Sequence, residues 1–190
     1  EDMLSIHKIL FTIILLVQAL LSYPQIWPKY YGEPGRKDYA YDIFETYDHG
    51  FLICGGYFND DGLWSWLIKT DVNGEILWEK IIEIEGDNYL NAVCPALDGG
   101  ILACGAIYTP AGYSDPFVIK LNPCGEKEWC TVFASSPQTN PWAQDIKETQ
   151  TGDIIVLVNQ YGQNNVEDMN LFKLNSSGEL IWEETYCSGS

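Results

Sequence analysis

The stretches GEILWEK (residues 74–80), GEKEWCT (residues 125–131) and GELIWEE (residues 178–184) each place a tryptophan four residues after a glycine. Trp78, Trp129 and Trp182 lie 51 and 53 residues apart, and QIWPKYYG (residues 25–32) puts Trp27 another 51 residues before Trp78. The match extends through the whole period. WLIKTDVNG, FVIKLNPCG and NLFKLNSSG align Lys69, Lys120 and Lys173. YDHGFLICGG, LDGGILACGA and QTGDIIVLVN align Gly50, Gly100 and Asp153, and DYAYDI, NYLNAV and PWAQDI align Tyr39, Tyr89 and Trp142. Self-similarity at a fixed period of about 50 residues marks a repeat architecture.

Each period reads as four short strands, in the first copy around Ala40–Glu45, Phe51–Tyr57, Ser65–Thr70 and Glu75–Ile81. Strands one and two are joined by turns such as Asp48-His49-Gly50. Strands three and four are joined by Asp71-Val72-Asn73-Gly74 and its copies at 122–125 and 175–178. Asn, Asp and Gly supply the left-handed backbone that tight hairpins need. Runs such as Phe51-Leu52-Ile53-Cys54 are apolar at successive positions, as in sheets buried on both faces. Four antiparallel strands per period predict an all-β chain, a β-propeller of four-stranded antiparallel blades.

The unit resembles that of secreted bacterial β-propellers of the quinoprotein-like superfamily, in which a D-x-x-G-x-x-x-W segment closes each blade. In that superfamily the tryptophan docks against the next blade. The resemblance therefore implies blade-docking roles for Trp78, Trp129 and Trp182, and for Trp27, which lacks the preceding turn. The chain divides into a closing strand at 23–32 and blades at 38–82, 87–133 and 141–186. About three blades plus an N-terminal closing strand leave open edges, and a closed ring needs roughly four to eight blades. The expectation is a fragment of a larger ring, with further blades supplied by missing chain or by an oligomer.

Residues 1–22 differ in kind. After Met3 come His7 and Lys8, then an apolar run from Ile9 to Leu21 broken only by Thr12 and Gln18. This reads as a secretory signal peptide, and is short for a span, which takes about 20 residues. Export to the periplasm, cell surface or medium follows, with no membrane insertion after cleavage. The net charge of -17 disfavours nucleic acid as a partner. Export permits disulfides. Cys94 and Cys104 flank Asp98-Gly99-Gly100 symmetrically, so a three-residue hairpin loop would set them opposite each other as a possible pair.

In a four-stranded meander the one–two and three–four turns share one end, here called the turn face. The two–three loops and blade connections share the other, the loop face. FNDDGLW (58–64), TPAGYSD (109–115) and GQNNVED (162–168) differ among the repeats, and variable loops on a rigid scaffold are the usual seat of binding. They offer Asp60, Asp61, Trp64, Tyr113, Asp115, Glu167 and Asp168 as binding candidates. Carboxylates beside aromatics suit a carbohydrate or a calcium ion, but no D-x-D-x-D-G loop is present, and neither a resident metal nor a cofactor is expected. No catalytic residues are assigned: His7 lies in the signal and His49 in a tight turn, leaving no base for a triad. The quinone enzymes that resemble this repeat use two adjacent cysteines, and no Cys-Cys pair occurs here. The expected function is an exported, non-enzymatic propeller presenting a loop face to a protein or glycan. The alternatives are part of a quinoprotein-like or glycan-active enzyme, and a cell-envelope assembly scaffold.

Overall fold

The computed structural model describes residues 28–135, 139–161 and 167–186. Residues 1–22, where the signal segment is expected, lie outside the described residues, as do Trp27 and Cys187. The first blade contains β1 (Lys37–Glu45), β2 (Phe51–Asn59), β3 (Gly62–Thr70) and β4 (Ile76–Ile82). The second contains β5 (Asn88–Pro95), β6 (Ile101–Tyr108), β7 (Ser114–Leu121) and β8 (Lys127–Val132). The third contains β9 (Trp142–Glu148), β10 (Ile154–Tyr161), β11 (Glu167–Leu174) and β12 (Leu180–Tyr186). Each blade is an antiparallel sheet with its strands in sequence order. Among the described residues no helix is long and apolar enough to cross a membrane.

The turns repeat because their chemistry repeats. In the three–four turns Asp71 Oδ1 accepts the amides of Asn73 and Glu75, both at 2.8 Å. Asn122 and Asn175 do the same for residues two and four positions on. The left-handed position of each one–two turn is taken by His49 (φ 62°), Gly99 (φ 85°) and Gly152 (φ 83°). A lysine on each third strand ties down that turn. Lys69 reaches Asp48 at 2.8 Å, Lys120 reaches Asp98, and Lys173 reaches Asp153 at 2.8 Å. The acid moves two positions along the turn in the third blade, yet the pair is kept.

These pairs predict an acid limit. The ammonium of Lys69 holds the Asp48 carboxyl well below the usual carboxylate range, and Lys120 and Lys173 lower Asp98 and Asp153. A carboxyl lowered by folding stabilises the fold above its unfolded pKa and loses that contribution as pH falls through the folded value. Thermal unfolding is expected at a nearly constant temperature from pH 7 to 5. It should drop below about pH 4, by a smaller amount in Asp98→Asn. Solvent screens these carboxylates, so the effect is graded.

The core lies between the blades rather than within them. Leu52, Cys54 and Leu67 of the first blade pack on Ile101, Ala103, Phe117 and Ile119 of the second. The opposite face of the second blade sends Leu102, Cys104 and Val118 against Ile146, Ile154, Val156 and Leu174 of the third. Alternate residues of β6 and β7 thus face different neighbours, which is why both strands read as continuous apolar runs. Strand β12, with no further sheet beyond it among the described residues, is exposed along its length.

The tryptophan unit makes two contacts, one at each end. A Cβ placed on Gly178 would fall 2.5 Å from the Trp129 ring, and one on Gly125 would fall 3.1 Å from the Trp78 ring. Each ring lies over the glycine of the next blade's unit, where only a bare α-carbon leaves room. Thr131 donates to the Gly178 carbonyl at 3.0 Å across the same seam. Among the described residues no glycine meets the Trp182 ring, which is 42% exposed.

One expectation fails here. Cys94 and Cys104 are free. The β5–β6 hairpin pairs Pro95 with Ile101, closed by the Ala96 amide on the Gly100 carbonyl at 2.9 Å. Its loop is therefore centred on Asp98, one residue earlier than a 98–100 loop requires. That shift sets Cys94 opposite Leu102 and Cys104 opposite Ala92. Both thiols are buried in the core between the second and third blades, and desolvation pushes their pKa values up.

Candidate functional site on the loop face

The β2–β3, β6–β7 and β10–β11 connections emerge at one end of the blades, together with the β4–β5 and β8–β9 crossovers. Asp60 and Asp61 are exposed in the two-residue link between β2 and β3. Asn59 shapes that link, its Oδ1 accepting the Asp61 amide at 2.9 Å and the Trp64 indole N–H at 3.0 Å. Trp64 is half-buried and lines a cleft of about 450 Å³ with Tyr57, Asn59, Ile81, Glu83 and Glu85. Asp60, Asp61 and Trp64 are therefore brought together at one blade.

Tyr113 and Asp115 flank the end of the β6–β7 turn, which Thr109 closes by donating its amide to the Tyr113 carbonyl at 2.7 Å. Asp115 plays a different role from the one its sequence position allows. Its Oδ1 accepts the Ser135 amide at 2.8 Å and the Ser135 hydroxyl at 2.7 Å, holding the crossover that leaves β8. It also edges a second cleft, about 420 Å³, with Glu85, Asp87, Tyr108 and Thr109. Asp168 is half-buried on β11 opposite Gln160. Glu167 stands at the head of β11 opposite Tyr161, and its side chain lies outside the described residues. The candidates thus sit at equivalent ends of three blades, and the clefts at Trp64 and Asp115 adjoin at Glu85. Among the described residues no group of three or more His, Cys, Asp or Glu side chains is placed to hold a metal.

The crossovers are tied to the blade they leave by buried amide groups. Asn88 Oδ1 accepts the Ser65 amide at 3.2 Å, and its Nδ2 donates to the Gly86 carbonyl at 2.7 Å. Asp87 accepts the Leu63 amide, as Asn140 accepts that of Ser114 one blade later. These bonds hold the loop face to the sheets beneath it.

A repeated feature escaped the loop-by-loop reading. Each blade carries an aromatic pair where its first and second strands meet the loop face: Tyr39 with Phe58, Tyr89 with Tyr108, and Trp142 with Tyr161. Their ring centroids are 6.0, 6.1 and 5.2 Å apart. Alignment of Tyr39, Tyr89 and Trp142 was already visible in the period. The same spacing applied to Phe58 finds Tyr108 and Tyr161. Chain spacing alone does not say that the two columns touch, because their contact depends on strand register. A separate apolar cleft of about 570 Å³ opens on the turn face between the first two blades, lined by Phe44, Tyr47, Leu52, Trp78, Leu97 and Ile101.

No protein-family model and no curated protein matches the chain. Solved structures do. One is a subtype N10 neuraminidase-like protein of A/little yellow-shouldered bat/Guatemala/060/2010, with a TM-score of 0.52 at 11% identity over 83% of this chain. This chain spans 46% of that one. Another is a fucose lectin from Kordia zhangzhouensis in complex with methyl-fucoside, with a TM-score of 0.50 at 12% identity over 82% of this chain and 99% of the lectin. Such identities carry a likeness of fold. Together with the three successive four-stranded sheets they place this chain among the β-propellers.

Proposed function

We propose that this chain is an exported, non-enzymatic β-propeller whose loop face binds a glycan. The observation that carries the reading is the cleft at Trp64, where a half-buried indole stands beside the Asn59 carboxamide and the carboxylates of Glu83 and Glu85. An aromatic face with a few convergent hydrogen-bonding groups is the usual make-up of a small-ligand site, and it suits a sugar's C–H face and hydroxyl rim. The fold likeness to a lectin that holds methyl-fucoside supports the same reading. Export rests on the leader-like residues 1–22, and kinship with quinoprotein-like secreted propellers rests on the D-x-x-G-x-x-x-W unit. Likeness to a neuraminidase-like protein favours a glycan-active enzyme as the second reading.

Purified protein applied to immobilised neutral and acidic glycans, methyl-fucoside included, is expected to retain at least one neutral glycan. Trp64→Ala is expected to weaken that binding tenfold or more without loss of the folded state. Release of sugar from a bound glycan would replace this reading with the enzyme. Failure to retain any glycan would end it.

A further inference from the structure

The aromatic pairs do not stand alone. In the first two blades they join into a ladder of Phe58, Tyr39, Tyr41, Tyr89 and Tyr108, with successive ring centroids 6.0, 6.2, 5.9 and 6.1 Å apart. Tyr39 and Tyr41, two positions apart on β1, lie parallel within 6°, with Tyr41 at the bulge between Ala40 and Asp42. Tyr41 crosses to Tyr89 of the next blade, and the third blade adds Trp142 against Tyr161. The ladder runs along the inner strands, where they reach the loop face.

These rings are too exposed to serve the core alone. Tyr41 is 52% exposed, and Tyr39, Phe58, Tyr108 and Tyr161 are each 41–42% exposed. A contiguous exposed aromatic surface costs solvation and marks an interaction site. Along the middle of the ladder the polar partners are neutral: tyrosine hydroxyls, the Asn91 carboxamide bonded to the Ala143 carbonyl, and the Gln144 carboxamide bonded to the Trp142 indole. At the Tyr108 end it meets the cleft that holds Glu85, Asp87 and Asp115. The bulge positions Tyr41, Asn91 and Gln144 are equivalent in the three blades, so each blade offers rings and one neutral polar group.

Resting on the glycan-binding reading above, we propose that this ladder is an extended binding site for a neutral polysaccharide chain, its pyranose rings stacked on successive aromatic faces. Three observations select that class. Flat faces in series fit a polymer of rings, since the negative face of an aromatic ring attracts the weakly positive C–H face of a sugar. The neutral amides and hydroxyls at its middle, and the carboxylates at its Tyr108 end, suit sugar hydroxyls. The net charge of -17 repels polyanions such as nucleic acid or sulfated glycans. A site built as a ladder gains affinity with chain length as rings are engaged in turn.

The test uses the intact chain in affinity electrophoresis and calorimetry. The probes are soluble β-glucan, xylan, galactomannan and α-mannan, with heparin and tetramethylammonium chloride as contrasts. At least one neutral polysaccharide should bind, more tightly as a hexasaccharide than as a disaccharide of the same sugar. Tyr41→Ser and Phe58→Ser should each weaken binding tenfold or more, while Tyr41→Phe stays within threefold of wild type. Both serine variants alter exposed rings, and unchanged melting curves would show that the fold is intact. If both serine variants bind like wild type while Trp64→Ala does not, the ladder is not the site, and the glycan reading stands on the Trp64 cleft. Competition by tetramethylammonium would reassign the rings to a cation cage, and binding of heparin alone would overturn the charge argument. No binding to any neutral glycan would overturn both the ladder and the function on which it rests.

Discussion

Trp129→Ala is expected to lower the free energy of unfolding by about 3–5 kcal/mol, the usual loss when a packed tryptophan is truncated. The ring packs on the core shared by the second and third blades and covers Gly178. Its removal opens a void at the seam between those blades. Gly178→Ala attacks the same contact from the other side, with a Cβ 2.5 Å from the ring on a residue whose φ is 80°. Trp182→Ala is the internal control. It alters the same unit at a position where no glycine among the described residues meets the ring, and it should stay within about 0.5 kcal/mol of wild type. Urea unfolding followed by circular dichroism distinguishes the three. Wild-type stability in Trp129→Ala would refute the docking role.

Asn88→Ala is the second large effect, a loss of about 2–4 kcal/mol. Asn88 is fully buried and joins the β4–β5 crossover to β3 through the Ser65 amide and the Ile84 and Gly86 carbonyls. Alanine leaves one donor and two acceptors without their partner in a place water reaches poorly. Hydrogen exchange gives a local readout, since the Ser65 amide should lose protection before the centre of β3 does. Asp87→Asn keeps an acceptor for the Leu63 amide and is expected to cost little. If Asn88→Ala unfolds like wild type and Ser65 stays protected, the crossover is held by something other than this side chain.

The period, the four strands within it and the turns that join them were legible from residue order because each depends on neighbours a few positions apart. Asp71, Asn122 and Asn175 bond amides two and four residues on, so the same letters make the same turn wherever they recur. Trp78 and Trp129 were legible as repeated elements for the same reason. Their acceptors, Gly125 and Gly178, were in plain view within the next copy of the unit, yet spacing shows only that a glycine precedes each tryptophan. That it receives the tryptophan of the blade before is set by how one sheet is rotated on the next.

The candidate site was less legible. Loop variability pointed to the loop end of the blades, where the structure places the Trp64 cleft. It also selected Asp115, whose Oδ1 holds Ser135 and whose side chain edges the second cleft. The pairing of Cys94 with Cys104 failed on a hairpin loop centred one residue away. The aromatic columns at Tyr39 and Phe58 became one surface only through strand register. By itself the sequence determined the repeat, the all-β blade and its turns, which local backbone preference and alternating burial dictate. Tertiary structure alone decided which residues meet across blades, because those contacts join positions about fifty residues apart through sheet twist, rotation and register.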